Sequence, residues 1–273
     1  MVLAGTFFEE IGTSIGKTKV SEKKESVYTM GFLNMLWGVL IFLVIAFLIK
    51  KNFVFSLASL PTFSIRVILE IAQIQASIMA INRAERSTFE FIRIGTVPLL
   101  LLVDVILGYA IGVNQIFGIS LVVAALIFLM LNHGLSSAGI GYVIFSTLNA
   151  VATISLYKYN ITHFNTVEAE QSVIMLFLMV YLFLMAHFAN KENPASFLKK
   201  PIFLAQSFSA GVGSILISFA YLFAAASIIT TAKRGLGTLW AIGSGKFYFH
   251  ENHARLKLIS LAVIGAGLIL LVI

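Results

Sequence analysis

Long apolar runs, separated by short polar stretches, cover almost the whole of this chain. Ten of them are 15 to 23 residues long, close to the roughly 20 residues that a helix needs to cross a bilayer. The shortest run, at the N-terminus, also carries two acids. The pattern predicts an all-α polytopic membrane protein with ten transmembrane helices, at residues 2–16, 29–49, 61–82, 88–109, 115–133, 139–157, 170–190, 202–223, 225–247 and 256–273.

The second half of the chain repeats the pattern of the first at an offset of 140 positions. This offset aligns the apolar runs without a gap and matches, among other identities, Gly95 with Gly235. Because a five-helix unit has an odd number of spans, the second copy must be inverted in the membrane relative to the first. Transporters build central substrate sites from such inverted repeats. The alignment predicts a first five-helix repeat at 1–133, a linker at 134–140 and a second five-helix repeat at 141–273.

Composition supports a membrane location and narrows the chemistry. Of the 273 residues, 59% are hydrophobic and 11% are charged, whereas soluble domains carry about 25% charged residues. The absence of cysteine excludes disulfides and thiolate metal sites, and neither a metal nor a cofactor is expected. The net charge of +7 comes from basic residues between the apolar runs. It therefore indicates contact with membrane surfaces rather than with nucleic acid.

Basic residues are distributed unequally between the two alternating sets of loops. Twelve lie in one set and three in the other, namely Lys50, Lys51 and Lys158. The positive-inside rule then places the richer set in the cytoplasm and both termini outside. This orientation depends on the first run being a true span.

The third apolar run carries a polar stripe. Arg66, Glu70, Gln73 and Ser77 recur at steps of four, three and four, so they share one face of a helix. A charge at mid-bilayer costs at least about 2.5–3.5 kcal/mol, and such residues usually face a cavity or a partner. Arg66 and Glu70 are one turn apart and can pair. The stripe is predicted to line a substrate-binding cavity; the alternative is an ion pair that only fixes helix packing.

Further cations and a tryptophan lie within or at the edges of other runs. Arg93 aligns with Lys233 across the repeat, so a cation recurs at this level in both halves, and Arg234 follows directly. Three roles stay open for these candidate substrate-binding residues: anchoring an anionic group, neutralising an intramembrane acid, or snorkelling to the interface. Trp240 lies in the middle of its run, where it either stacks on a substrate or packs in the core.

The fourth and fifth runs of each half carry a recognisable pattern. The first half reads "IGTVPLLLLVDVILGYAIGVNQIFGISLVVAAL" and the second "KRGLGTLWAIGSGKFYFHENHARLKLISLAVIGAGL". This pattern resembles the EamA-type families of the drug/metabolite transporter superfamily, in which a helix with a mid-span proline or glycines ends near an acid. Gly95, Pro98 and Gly118 fit in the first half, which lacks the acid, and Glu251 is the acid in the second. The resemblance implies that both termini are cytoplasmic, whereas the distribution of basic residues places them outside. The orientation therefore stays open.

The N-terminal stretch "FFEEIGTSIGK" is similar to the first helix of the small multidrug resistance proteins, four-helix members of the same superfamily. Its Ile-Gly-Thr and following lysine place Glu9 on the glutamate of those proteins, which implies binding of a proton or a cationic substrate. Glu10, about 100° further round the helix, is a second candidate. The alternative is that both acids are solvated at the interface. The repeat partner of Glu9 is Asn149, a candidate cavity residue.

These features predict a secondary active transporter that moves a small metabolite, amino acid or drug-like solute across the cell membrane by alternating access. Protons are a candidate coupling ion, and membrane lipid is the other expected partner. The chain has no HExxH motif and no paired catalytic aspartates, so it is not expected to be an enzyme. The alternatives are a non-transporting structural or sensory membrane protein and an intramembrane enzyme.

Overall fold

The computed structural model describes residues 1–83, 92–93, 95–133, 139–248 and 254–271. Regular structure in this part of the chain is entirely helical, which confirms the predicted all-α class. A π-helical turn, Ile45–Ile49, continues the second helix, and a 3-10 turn, Leu57–Ser59, precedes the third. The helices are α1 (Val2–Ser21), α2 (Val27–Val44), α3 (Leu60–Arg83), α4 (Thr96–Ile106), α5 (Val113–His133), α6 (Ile140–His163), α7 (Val167–Asn190), α8 (Pro194–Phe197), α9 (Pro201–Ala220), α10 (Ala226–Tyr248) and α11 (Ala254–Leu270).

Local sequence explains several helix ends. The side chains of Ser26 and Thr166 accept hydrogen bonds from backbone N–H groups in the first turns of α2 and α7, as good N-cap residues do. Pro201 opens α9, where its missing N–H costs nothing. At the other end of α7, Lys191 takes a left-handed conformation with φ of 56° and stops the helix.

Five helical segments among the described residues are long and apolar enough to cross a membrane. Many of their large apolar side chains are exposed, for example Leu48 and Phe188. This exposure suits contact with lipid. These properties mark the chain as an integral membrane protein. The full count of ten spans, and their inverted arrangement, stay predictions. The five segments are Val27–Ile49, Leu57–Ser77, Ile140–His163, Val167–Asn190 and Pro201–Ala220, and shorter apolar helices occupy Thr96–Ile106 and Val113–Ala125.

The chain forms two compact units, and each draws on both halves of the sequence. Unit 1 contains Met1–Ile71 and Leu156–Leu222, and unit 2 contains Ala72–Ser155 and Phe223–Ile273. The unit boundaries therefore fall inside α3 and α6. The units are defined by contacts between helices, whereas the predicted repeats at 1–133 and 141–273 are defined by sequence similarity. The units therefore do not test the repeats, which stay a prediction. Most of the predicted linker, residues 134–138, lies outside the described residues, as does Glu251.

In unit 1, α9 packs against both α1 and α2, and α2 packs against α7. Glycine permits the closest of these contacts. A Cβ atom at Gly213 of α9 would lie 2.7 Å from the Glu9 nitrogen and the Gly5 oxygen of α1. Small residues allow helices in membranes to approach this closely. The interior beside them is filled by buried side chains such as Leu33 and Phe42.

In unit 2, α5 packs against α11, and α4 packs against α10. Val122 and Ile264 are fully buried where α5 meets α11, and Val97 and Ile228 belong to a core cluster around α4 and α10. A Cβ atom at Gly118 would lie 2.6 Å from a backbone oxygen of α11. Close packing of small and branched side chains thus holds this unit as well.

The predicted segment 139–157 ends too early, because α6 continues to His163. The sequence analysis assigned Lys158 to a loop, but its side chain is buried within α6 and its Nζ donates a hydrogen bond to the Tyr221 carbonyl oxygen at 2.5 Å. Lys158 therefore does not belong in a count of loop charges. A lysine that ends an apolar run can turn inward when a carbonyl group is within reach.

Candidate functional site

Arg66 is the centre of a buried polar cluster in unit 1. Its side chain is only 4% exposed, and its Nη1 donates to Glu170 Oε1 at 2.7 Å. The Nη2 atom donates to Gln171 Oε1 at 3.3 Å and lies 3.6 Å from Glu70 Oε1. The guanidinium carbon lies 4.6 Å from the centre of the Tyr157 ring, within the range of a cation–π contact. Arg66 therefore has several partners that compensate its burial.

Glu170 is the acid that neutralises Arg66. It is fully buried in the first turn of α7, where the helix dipole favours a negative charge. Besides the Arg66 bond, its carboxylate accepts hydrogen bonds from Asn160 Nδ2 at 2.9 Å and Asn165 Nδ2 at 2.5 Å. With three donors and one full counter-charge, this carboxylate is well satisfied despite its burial.

A second layer of hydrogen bonds fixes the side chains that surround the ion pair. Thr62 Oγ1 donates to Asn160 Oδ1 at 2.6 Å. On the other side, the Tyr157 hydroxyl donates to the Ser218 carbonyl at 2.9 Å, and Gln171 Nε2 donates to Ser218 Oγ at 2.9 Å. The cluster is therefore a connected network, and each member limits the movement of its neighbours.

Glu70 differs from the other charged members of this cluster. Its side chain is 21% exposed, whereas those of Arg66 and Glu170 are 4% and 0% exposed. It pairs with Arg66 one helical turn away, as the i, i+4 spacing predicts, but at the long distance of 3.6 Å. Glu70 lies within an apolar segment that can cross a membrane. It is thus the most exposed charge of this cluster, although most of its side chain is buried, whereas Arg66 and Glu170 pair with each other.

The two N-terminal candidates, Glu9 and Glu10, are both half-buried on α1. Glu9 packs where α1 meets α9, because a Cβ atom added at Gly213 of α9 would lie 2.8 Å from the Glu9 Cγ. Glu10 accepts a hydrogen bond from Ser14 Oγ at 3.0 Å, one turn further along the same helix. Neither acid is fully solvated, and the role of either in coupling stays a prediction.

In unit 2, three predicted cavity residues meet in one neutral hydrogen-bonded cluster. Gln73 Nε2 donates to Ser146 Oγ at 2.6 Å, and Asn149 Nδ2 donates to Gln73 Oε1 at 2.9 Å. The Ser77 hydroxyl lies 3.3 Å from that of Ser146. The structure thus joins Gln73 and Ser77 of α3 to Asn149 of α6, and it adds Ser146, which the sequence analysis did not select.

The other predicted site residues of unit 2 are half-buried: Arg93 before α4, and Lys233, Arg234 and Trp240 on α10. The start of α10 is fixed by Asp104, a buried acid of α4 that accepts a hydrogen bond from the Ser227 backbone N–H at 2.6 Å. A carboxylate at a helix N-terminus is favourable because unpaired N–H groups point at it. Asp104 therefore positions the helix that carries Lys233, Arg234 and Trp240.

No protein-family model matches this chain, and neither does any curated protein. The resemblance to EamA-type transporters rests on the quoted motifs alone.

Glu170, Gln171 and Asn160 are the main site residues that the sequence analysis missed. The predicted seventh span begins at residue 170, and no residue at its start was selected as a candidate site residue. The signal was nevertheless present: "NTVEAEQ" places two acids and an amide in one helical turn after a Thr N-cap. A stretch this polar at the start of an apolar helix needs partners, and the structure supplies Lys50 for Glu168 and Arg66 for Glu170.

Proposed function

We propose that this protein is a secondary active transporter that carries a small, positively charged solute by alternating access. The supporting observation is the Glu70 carboxylate, a partly exposed acid within an apolar segment, whose nearest cation lies at the long distance of 3.6 Å. An acid at this depth carries a desolvation cost that is hard to explain unless it faces a cavity or a ligand. The proposal narrows the predicted metabolite, amino acid or drug-like solute to one with a cationic group.

Charge accounting in unit 1 leads to this preference for a cation. Arg66 carries one positive charge and Glu170 one negative charge, and the 2.7 Å bond between them leaves little net charge on the pair. Glu70 adds a second negative charge, which Arg66 contacts only at 3.6 Å. The cluster therefore has a surplus of one negative charge when both acids are ionised. A protonated amine or a proton supplies the missing positive charge.

The remaining candidates fit supporting roles in this proposal. In unit 2, Gln73, Ser77 and Asn149 form a neutral hydrogen-bonded cluster of their own, and their cavity role stays a prediction. Glu9, which the small multidrug resistance resemblance singles out, is the proposed site of proton coupling. The inverted five-helix repeats would supply the two alternative access states.

A binding screen followed by counterflow tests the proposal. Purified protein is first screened by thermal shift against lysine and tetraphenylphosphonium as cations, glutamate as an anion and uridine as a neutral solute. We expect a cation to raise the unfolding temperature. The labelled form of that cation should then exchange across proteoliposome membranes, without chemical change, when unlabelled cation is present inside.

Glu70→Gln should reduce this counterflow at least about tenfold, because a loss of about 1.4 kcal/mol in binding already has that effect. Glu22→Gln is the matched control: Glu22 is an exposed acid after α1, paired with Lys19 and Lys24. Stabilisation by glutamate or uridine alone, or equal counterflow in both variants, would remove Glu70 from the site. A chemically altered solute would instead indicate an intramembrane enzyme.

A further inference from the structure

Glu25 is a buried acid of unit 1 that the proposed transport site does not use. It lies between α1 and α2, directly before the N-cap Ser26, and is only 3% exposed. No hydrogen bond from the described residues reaches either of its carboxyl oxygens. Buried polar atoms are nearly always paired, and an unpaired buried carboxylate is far more costly than a neutral group. The arrangement therefore requires a positive charge or a proton on Glu25.

The groups around Glu25 come from three helices and one connecting segment. Glu192, which follows α7, supplies a second carboxylate that repels a charge on Glu25. Lys19 of α1 supplies the compensating cation, but its Nζ is bonded to Glu22 at 2.9 Å. Gln206 of α9 interacts with Glu25 too loosely for a hydrogen bond of ordinary geometry, and Thr29 of α2 donates its hydroxyl hydrogen bond to Glu192.

Glu192 and Glu25 differ in the hydrogen-bond donors that their surroundings supply. Glu192 Oε2 accepts hydrogen bonds from the Ser26 N–H at 3.1 Å and from Thr29 Oγ1 at 2.5 Å. These bonds fasten Glu192 to the first turn of α2. When two carboxylates lie close together and only one has donors, the proton stays on the other. Burial, helped by the Glu192 charge, raises the pKa of Glu25 to about 8.

We propose that Glu25 is a proton-binding site that holds a proton in the folded protein. When Glu25 loses this proton, the attachment of Glu192 to the start of α2 weakens. Ionised Glu25 would face Glu192 with only Lys19 to offset the repulsion, and Lys19 would have to leave Glu22. The junction formed by Glu25, Glu192 and Lys19 thus changes its pairing with pH. This inference goes beyond the proposed transport activity and does not depend on it.

The sign of the pH effect follows from the two states of the chain. In the unfolded chain Glu25 has its ordinary pKa of 4.5, whereas in the folded chain it is about 8. Between these values the folded protein holds a proton that the unfolded chain has lost. Stability is therefore highest below the lower value, falls as the pH rises through this window, and levels off above about pH 8.

Infrared difference spectroscopy of the purified full-length protein tests the site directly. We expect a carbonyl band of a protonated carboxylic acid near neutral pH that titrates with a midpoint close to 8 and is absent in Glu25→Gln. Glu192→Gln should lower that midpoint, because a nearby negative charge is gone. This second variant keeps the test valid if Glu25→Gln does not fold.

Thermal unfolding gives an independent readout. Between about pH 5 and about pH 9.5 the wild-type midpoint should fall, and that of Glu25→Gln should fall less. Glu22→Gln frees Lys19 from its 2.9 Å bond, so Lys19 is available to Glu25 and the fall should move to lower pH than in the wild type. Identical profiles for wild type and Glu25→Gln, or the absence of the infrared band, would overturn the proposal. So would stabilisation of the wild type by sodium chloride relative to choline chloride, which would show that the site takes sodium instead.

Discussion

The buried pair of Arg66 and Glu170 should contribute to stability in a way that only a double substitution reveals. Replacing Arg66 with methionine leaves Glu170 fully buried with two amide donors and no counter-charge. Removal of one partner from a buried ion pair costs about 3–5 kcal/mol, because the remaining charge is left uncompensated. We expect Arg66→Met to lower the free energy of unfolding by an amount in this range.

The double variant Arg66→Met, Glu170→Gln should recover most of that loss. A neutral glutamine at position 170 can still accept from Asn160 or Asn165 and no longer needs a cation. Neutral replacements of whole buried pairs are often close to neutral in stability. The expected coupling between the two sites is therefore at least about 2 kcal/mol, which is large for a pairwise term.

Equilibrium unfolding in mixed detergent micelles measures all four members of this cycle. Glu70→Gln is a useful comparison, because it removes only the 3.6 Å contact and leaves the Arg66–Glu170 pair intact. Its cost should be below about 1 kcal/mol, as for other partly exposed pairs. If Arg66→Met is as stable as wild type, or if the double variant is no more stable than Arg66→Met, the pair is not the structural centre of unit 1.

Three further predictions concern packing, a neutral cluster and a helix end, all measured by thermal unfolding in detergent. Gly213→Ala should lower the free energy of unfolding by about 1–3 kcal/mol, since the added Cβ meets the α1 backbone at 2.7 Å. Gly141→Ala is the control and should be neutral, because no atom lies within 4 Å of its Cβ. Equal effects of the two substitutions would contradict the close α1–α9 contact. Gln73→Leu should cost about 1–3 kcal/mol by removing the partner of Asn149, whereas a neutral result would mean that water replaces the amide. Asp104→Ala should cost about 0.5–2 kcal/mol through loss of the α10 cap, and no change would show that another group caps this helix.

The sequence predicted those features that depend on local geometry. Helical spacing alone indicated that Arg66 and Glu70 can pair, and the structure has that pair. The same reasoning identified most of the helices, because apolar runs of this length have few other stable forms in a membrane. Gln73 and Asn149 were both selected as cavity residues, although nothing in the sequence indicated that they bond to each other.

The features that the sequence did not predict depend on contacts between distant segments. Glu170 lies 104 positions from Arg66, and no local pattern indicates which acid neutralises that arginine. Glu25 stands in a charged stretch that reads as a solvated loop, yet its burial results from α9 and from the segment that carries Glu192. Lys158 was misplaced because a lysine at the end of an apolar run usually reaches the interface.

Four acids of unit 1 differ mainly in how well their charges are compensated, and this difference separates structural from functional roles. Glu170 has three donors and Glu192 has two, so both are held in place. Glu70 has a distant cation and some access to its surroundings, and Glu25 has no hydrogen-bond donor among the described residues. An acid with many donors loses much by changing partner, whereas one with few donors gains from a new cation. Exchange of a solute is therefore expected at Glu70, beside a Glu170 that stays fixed, and exchange of a proton is expected at Glu25, where it changes the attachment of Glu192.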